Sequence, residues 1–497
     1  MKILFLTSNS ICIELVNDDI YETKEYDIFL NGKYYMSSNK NVFSIYNLVP
    51  NKEYNIKIND KEISFKTLNK KMIVVNPKSN DDTKYIQEKI NELLPDEVLC
   101  LEGTFYVSSM FVGSNKNIYI PKGSIIYGLL EREKYDILSS NEFVNNKPLG
   151  TWEGRCDDSF ASIFTFISAE DSSLYGEGII DYRSQLTDWW INHRIKRIAR
   201  RPKGIFIHTS KNITISGLTI KNTPSWNQHA FYSENINYYN LYLENPSDSP
   251  TTDGCDPEAS ENINIIGNII SVGDDCIAIK SSKIELASIY KVPAKNITIR
   301  NNLMLNGHAG ITIGSEMSGG IIGINASKNI FRKTDRGLRI KTQRGRGNVS
   351  IGNIIFENII MDGVLSPFVI NAFYKAGNDD LDWRFDDKKI PMDDKTPTLG
   401  KFIFKNIKCY NVSYGLGYFL GLPENYIKEI ILENIDVSYN KDSNEGIMAM
   451  NPRNQKFKNI GLYLENVELI SLKNIRYIDD PNEAIISKNV IRINNEK

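Results

Sequence analysis

Histidine and cysteine are both scarce, at four and six residues in a chain of 497. Four imidazoles leave little room for a multi-histidine metal centre. The cysteines (Cys12, Cys100, Cys156, Cys255, Cys276 and Cys409) are scattered and form no CxxC pair. That spacing argues against a disulfide-stapled secreted scaffold and makes reduced thiols the default. Neither sign of charge is in excess: 59 basic against 61 acidic side chains leave −2, with a pI near 6.2. A general nucleic-acid binder would show a basic surplus. No apolar run approaches membrane-spanning length. The first residues, MKILFLTSNSICIELVNDD, begin like a signal peptide. Polar Thr7–Ser10 interrupts the apolar run, acidic residues follow, and no small-x-small cleavage site is clear. The expectation is a soluble, cytoplasmic protein without a membrane or nucleic-acid partner.

Hydrophobic residues make up 41% of the chain, enough to exclude wholesale disorder. The length exceeds one ordinary core, so either several domains or one elongated repeat fold is required. Residues 1–70 read as all-β. Alternating runs at Ile11–Val16, Tyr26–Leu30, Val42–Ile45 and Tyr54–Ile58 are separated by Asn-Gly, Asn-Lys and Asn-Asp turns. Leu48–Val49–Pro50 through Tyr54–Asn55–Ile56 resembles the late strands of a fibronectin type III sandwich, and Thr67–Lys70 gives a polar junction. Such a domain can serve as a spacer, a groove wall or a subunit contact.

A helix is expected over about 81–96. Ile86, Ile90, Leu93 and Leu94 recur at helical spacing, Asp81 and Asp82 suit its start, and Pro95 ends it. One amphipathic helix is what a repeat array needs as an end cap. Beyond it the chain repeats itself, as in KNITISGLTIKN from Lys211, ENINYYNLYLEN from Glu234, ENINIIGNIISV from Glu261 and KNITIRNNLMLN from Lys295. Each copy is a pair of short Ile/Val-rich strands joined at Asn or Gly, and copies recur about every 23–35 residues. Short strands without intervening helices suit a right-handed parallel β-helix over 71–497, with asparagine in the left-handed turns. A leucine-rich repeat is the rival solenoid, but its leucine frame and helices are missing. The N-x-[ST] sequons at Asn212, Asn296, Asn325, Asn348 and Asn411 are by-products of Asn-rich turns.

Four segments break the apolar rhythm on successive rungs: TTDGCDP from Thr251, GDDCIAIKS from Gly273, NGHAGITIGSE from Asn306 and GLRIKT from Gly337. Stacking gathers Asp253, Asp256, Asp274, Asp275, His308, Arg339 and Lys341 into one patch. Singly, an Asp-Asp pair is usually a turn, a lone His is structural and Arg-x-Lys is an exposed strand face. Together, and in order, they make a site. Glycosidic hydrolysis needs one protonated and one ionised carboxyl group, and crowding raises the pKa of one of them. Adjacent Asp274 and Asp275 both face a cleft only if the chain bends, which Gly273 permits. Arg339 and Lys341 share one strand face, and without local acidic partners they suit a uronate carboxylate.

This ordered set resembles glycoside hydrolase family 28, the polygalacturonases. Their motifs run Asn-Thr-Asp-Gly, Gly-x-Asp-Asp-Cys, Gly-His-Gly and Arg-Ile-Lys. The matching residues are Thr252–Asp253–Gly254, Gly273–Asp274–Asp275–Cys276, Gly307–His308 and Arg339–Ile340–Lys341. LYGEGIIDY from Leu174, KNTPSWNQH from Lys221 and IGSEMSGG from Ile313 agree, so the likeness spans roughly 75–470. The resemblance implies hydrolysis of α-1,4-galacturonosidic bonds with inversion. Asp274 would be the general acid, Asp253 and Asp275 would activate water, and His308 would tune the acid. Arg339 and Lys341, joined by Tyr374, would bind the galacturonate carboxylate of an oligogalacturonide or pectic polysaccharide. No metal or other cofactor is implied. The chain departs from the pattern at Thr251, at Ala309 and at Asp181–Tyr182; Thr251 and Ala309 are expected near the sugar.

Exo action needs a blocked groove. Residues 141–202, with Trp152, Trp189 and Trp190, and residues 375–401, with Trp383, are candidate walls. The tryptophans either stack on sugars or pack beneath the loops. The basic run Arg194, Lys196, Arg197, Arg200 and Arg201 is either a solvated helix face or an extra subsite. A sandwich before the β-helix resembles bacterial exo-acting members, so exo action is expected. The alternatives are a rhamnogalacturonan or xylogalacturonan hydrolase, a calcium-dependent pectate lyase, or a non-catalytic carbohydrate-binding β-helix.

Overall fold

A computed structural model describes every residue except 22–23, 348–349, 376–381 and 497. The sequon at Asn348 lies outside the described residues. Seven antiparallel strands come first: β1 (Lys2–Leu6), β2 (Ile11–Glu14), β3 (Tyr26–Leu30), β4 (Lys33–Ser38), β5 (Val42–Ile45), β6 (Glu53–Ile58) and β7 (Lys61–Lys66). They form a three-stranded sheet, β1-β2-β5, and a four-stranded sheet, β4-β3-β6-β7. Alternation drives the packing. In β6, Tyr54, Ile56 and Ile58 are buried while Glu53 and Lys57 are exposed, and the inner residues join Ile11, Ile13, Ile28 and Ile45 in one core.

The sandwich docks on the flank of the β-helix. The Arg300 guanidinium donates to Glu14 at 2.5 and 2.7 Å, Asn301 donates to Glu14 at 2.8 Å, and the Tyr46 hydroxyl donates to the Gly176 carbonyl at 3.1 Å. It covers the turns after the second strand of the coils, and its Tyr21 packs on Leu303 and Ile330 of the strands that follow. Among the described residues of 1–70, none lines the cavity around the acidic patch.

Strand β8 (Lys71–Val75) pairs in parallel with β9 (Glu97–Leu101), and between them lies α1 (Thr83–Glu92). Ile86, Ile90 and Leu93 close the end of the main core. Leu94, expected to join them, is 56% exposed, because the helix stops at Glu92 and the backbone is extended at Leu93. Asp82 accepts hydrogen bonds from the backbone N–H groups of Lys78 and Ser79, and Asp81 from that of Thr83. The acidic pair thus shapes the turn leading into the helix.

From β9 onward the chain coils as a parallel β-helix. Ile236, Ile263, Ile297 and Ile324 stack rung on rung, all but fully buried. Where strands turn, Asn212, Asn235, Asn262 and Asn296 take φ of 56–58°. Their amides link successive rungs, Asn235 to Asn212 at 3.0 Å and Asn296 to Asn262 at 3.2 Å. This left-handed turn explains the chance sequons.

The repeat has three strands per coil where the sequence pattern showed two. The polar interruptions are themselves the missing strand: Cys255–Glu258, Asp275–Ile279, Ala309–Gly314 and Arg336–Lys341 stack in parallel. Alternation again explains it. Ile277, Ile279, Ile311, Ile313, Leu338 and Ile340 point into the core, leaving Thr312, Arg339 and Lys341 on the outer face.

Candidate active site

The outer face of these strands meets the segment 141–202 around a cavity of about 380 Å³. That size lies toward the lower end of the range for small-molecule sites. Asp253, Asp274, Lys341 and Tyr374 line it. Asp275 and Arg339, 0% and 7% exposed in their side chains, are buried beneath. Oxygens of Asp253, Asp274 and Asp275 all lie within 4.8 Å of one another.

The two adjacent aspartates diverge because they belong to different local structures. Asp275 opens the strand, whereas Asp274 precedes it and accepts the backbone N–H of Asp275 at 2.9 Å. Gly273 serves close approach and does not supply a left-handed bend. A Cβ there would meet the Ser249 carbonyl at 2.2 Å, and its N–H donates to the Thr252 hydroxyl at 3.1 Å. Gly307 does take positive φ, +87°, and brings His308 over Asp274. The His308 backbone N–H donates to the Asp274 carbonyl at 2.9 Å, and its Nδ1 lies 3.1 Å from the Asp274 carboxylate.

Arg339 and Lys341 do have an acidic partner, contrary to expectation. Arg339 Nη2 and Lys341 Nζ, the latter at 3.0 Å, both bond Asp275. Strand pairing places the two basic residues two coils from Asp275, which is why a local scan of the sequence found no acid beside them. Lys341 also lies 5.2 Å above the Tyr374 ring. Of the pair, only Lys341 lines the cavity.

Charge is divided unevenly. Burial opposes ionisation of Asp275, but Arg339 and Lys341 overcome it and hold its carboxyl well below the usual range. Burial and the Asp274 charge push Asp253 up to about 8, and burial with the Asp253 charge raises Asp256 well above the usual carboxylate range. Asp274 is partly desolvated, yet the His308 hydrogen bond keeps it low, and the same bond raises His308. Burial first, and like charge second, thus favour the protonated form of Asp253 and of Asp256 in the free site.

Lys280 is central and was not singled out in the sequence. Buried at the end of the Asp275 strand, it lies 3.7 Å from Asp253, 3.6 Å from Asp256 and 3.4 Å from Glu316, and 4.7 Å above the Trp226 ring. Both it and Glu316 close segments already recognised as polar, GDDCIAIKS and NGHAGITIGSE, so rung stacking was the available signal. Asp256 has Lys280 at ion-pair distance but no hydrogen bond to either oxygen, which suits a protonated group.

The acidic trio has the spacing of a cation site. Asp275 already carries two cations and Asp253 faces Lys280, so positive charge is supplied by side chains.

Among the walls, Trp189 packs beneath its loop at 1% exposure, and the Trp190 indole N–H donates to the Thr223 carbonyl at 3.1 Å. Trp152 lines the cavity, stacked on Trp226 at 6.4 Å with Lys203 over both rings. Trp383 is 46% exposed and does not line the cavity. Thr251 lines it, as expected, but Ala309 is fully buried within its strand. Tyr182 is also buried, its hydroxyl accepting the Ile163 N–H at 2.7 Å. The basic run is no helix. Lys196 and Arg200 pair with Asp157, and Arg197 pairs with Asp188.

Residues 114–451 match the profile of Glycosyl hydrolases family 28. A "Probable polygalacturonase" of Vitis vinifera is 31% identical over 279 residues, which are 54% of this chain and 55% of that protein. The chain thus spans about half the length of this relative. An "Endo-polygalacturonase" of Pectobacterium carotovorum is 28% identical over 62% of this chain and 77% of its own. Among solved structures, the family 28 exopolygalacturonase of Yersinia enterocolitica superposes with a TM-score of 0.73 at 16% identity, over 100% of this chain and 98% of its own. The exopolygalacturonase of Thermotoga maritima gives 0.61 at 21% identity, over 85% and 92%. On the matched motifs and the length of the match, the chain belongs to glycosyl hydrolases family 28.

Proposed function

We propose that this protein hydrolyses α-1,4-galacturonosidic bonds of homogalacturonan or its oligomers, with inversion and from chain ends. The observation that carries this is three aspartate oxygens within 4.8 Å of one another, those of Asp253 and Asp274 in one cavity with Lys341 and Tyr374 and that of Asp275 beneath it. Asp274 protonates the leaving oxygen. Asp253 and Asp275 hold the attacking water, and Arg339 fixes the charge of Asp275 from below. Lys341, with Tyr374, takes the uronate carboxylate. An arriving carboxylate adds negative charge beside Asp274 and raises its pKa, which favours moving the proton of Asp253 onto Asp274; Asp274 then passes it to the leaving oxygen, and Asp253 is left ionised to take the proton of the water.

Close carboxyl spacing also fits a retaining enzyme, for which about 5–5.5 Å is usual. A covalent route needs a free carboxylate nucleophile, however. Asp275 is tied to two cations and lies beneath the cavity, so water is the better candidate. Proton NMR of the first-formed product tests this point: an inverted anomer is expected, and a retained one assigns the nucleophile to an aspartate.

Exo action is supported by the segment 141–202 walling the cavity with Trp152, His193 and Arg201. Sizing the products of a homogalacturonan digest is the main experiment. Monomer or dimer alone is expected, a ladder means internal cleavage, and no release of galacturonate overturns the assignment. Chelation of divalent cations is expected to leave the rate unchanged and the products without ultraviolet absorbance; a lyase gives the reverse of both. Six free thiols support a reducing, cytoplasmic setting, which cell fractionation tests.

A further inference from the structure

Three carboxyl groups share the Lys280 ammonium. It donates to Glu316 at 3.4 Å, and Asp256 and Asp253 lie 3.6 and 3.7 Å away. The Trp226 ring covers it at 4.7 Å. The lysine side chain is 4% exposed, so these neighbours rather than water balance its charge. Rung stacking makes the meeting possible. Lys280 follows the strand Asp275–Ile279, and the next backbone N–H, of Ser281, donates to the Glu316 carbonyl at 2.7 Å. Glu258, the strand neighbour of Lys280, is engaged elsewhere, with His229 Nε2 at 3.0 Å and the Ser282 hydroxyl at 3.1 Å.

The three carboxyls do not carry equal charge. Burial opposes ionisation of Glu316, but Lys280, ahead of Arg346, overcomes it and holds Glu316 well below the usual range. Burial favours the proton on Asp253 and Asp256. In the free site the ammonium therefore answers Glu316. That balance changes when Asp253 gives its proton to Asp274. Asp253 is then a second buried anion 3.7 Å from the ammonium, while Arg339 and Lys341 are already bonded to Asp275. Among the cations that favour ionised Asp253, Lys280 acts ahead of Lys341.

We infer that Lys280 is a positioning residue whose ammonium turns from Glu316 to Asp253 during turnover, and that Glu316 competes for it, so that the two set how readily Asp253 passes its proton to Asp274 and takes one from water. This rests on the hydrolytic reading above.

The test is the pH dependence of kcat and KM on trigalacturonate, since the kcat bell reports the groups of the substrate complex. Glu316→Gln leaves the ammonium to Asp253, and the bell should move down by about half a pH unit. Lys280→Met should move it up by about one to three units with KM nearly unchanged, and Lys280→Arg should restore most of the shift. A lysine that only supports the fold would lower kcat equally at every pH. If Lys280→Met fails to fold, Glu316→Gln decides, because a bell that stays in place or moves upward overturns the role. The two readings fail separately. No release of galacturonate by the unaltered enzyme sinks the hydrolytic reading, whereas release with an unmoved bell sinks the role of Lys280 alone.

Discussion

Two columns of buried polar residues climb the same coils, and they are built on opposite rules. Asn268, Asn302 and Asn329 stack with amide bonds of 3.0 Å. Each also donates to a backbone carbonyl, of Tyr238, Ile265 and Ile299 respectively. Their side-chain oxygens accept the N–H groups of Leu241, Asn268 and Asn302. No charge is present and every amide group is satisfied. The other column, from Asp256 and Asp253 through Lys280 and Asp275 to Arg339, mixes buried charges, carboxyls whose burial favours the proton, and oxygens without a hydrogen bond. A neutral, complete ladder stabilises the coil. An incomplete charged one leaves donors and acceptors for something that is not protein.

The sharpest test of that contrast is Asp274→Asn. Loss of the acid should lower turnover by at least about a hundredfold with the melting temperature nearly unchanged, measured by reducing-sugar release and calorimetry. Unchanged turnover would make the charged column merely structural. Lys280→Met should strike stability as well as rate. It leaves buried Glu316 without the ammonium at 3.4 Å, and about 3–5 kcal/mol is expected in denaturant unfolding.

Asn302→Ala is the mirror experiment in the neutral ladder. It leaves the N–H groups of Asn268 without acceptors, at a cost of about 2–3 kcal/mol, with kcat and KM unmoved. The smallest effect concerns pH. Asp253 holds its proton up to about pH 8 when folded, whereas the unfolded carboxyl releases it near 4. Stability from this group is therefore full below pH 4 and declines as pH rises to 8. Asp253→Asn should flatten that slope, gaining a few degrees in melting temperature at pH 8 and none at pH 4. A gain of equal size at both would deny the buried proton.

Much of this was legible in the chain itself. The Ile/Val repeats with Asn at the turns demanded a β-helix, because identical residues at one period stack only on themselves. The motifs holding Asp253, Asp274, Asp275, His308 and Lys341 were visible because charge stands out against an apolar rhythm. The same contrast misled where charge lay inside a strand: GDDCIAIKS looked like an interruption although its alternate residues, Ile277 and Ile279, are core.

What the primary structure settled was the coil, its helical end cap and the identity of the acidic patch, since period and composition are local properties. Folding alone decided that Arg339 serves Asp275, that Lys280 joins three carboxyls, that burial favours a proton on Asp253, and that Arg201 is left without an ion-pair partner. Those outcomes depend on distances between side chains dozens of residues apart and on how little water reaches them, and neither quantity is written in any short stretch of sequence.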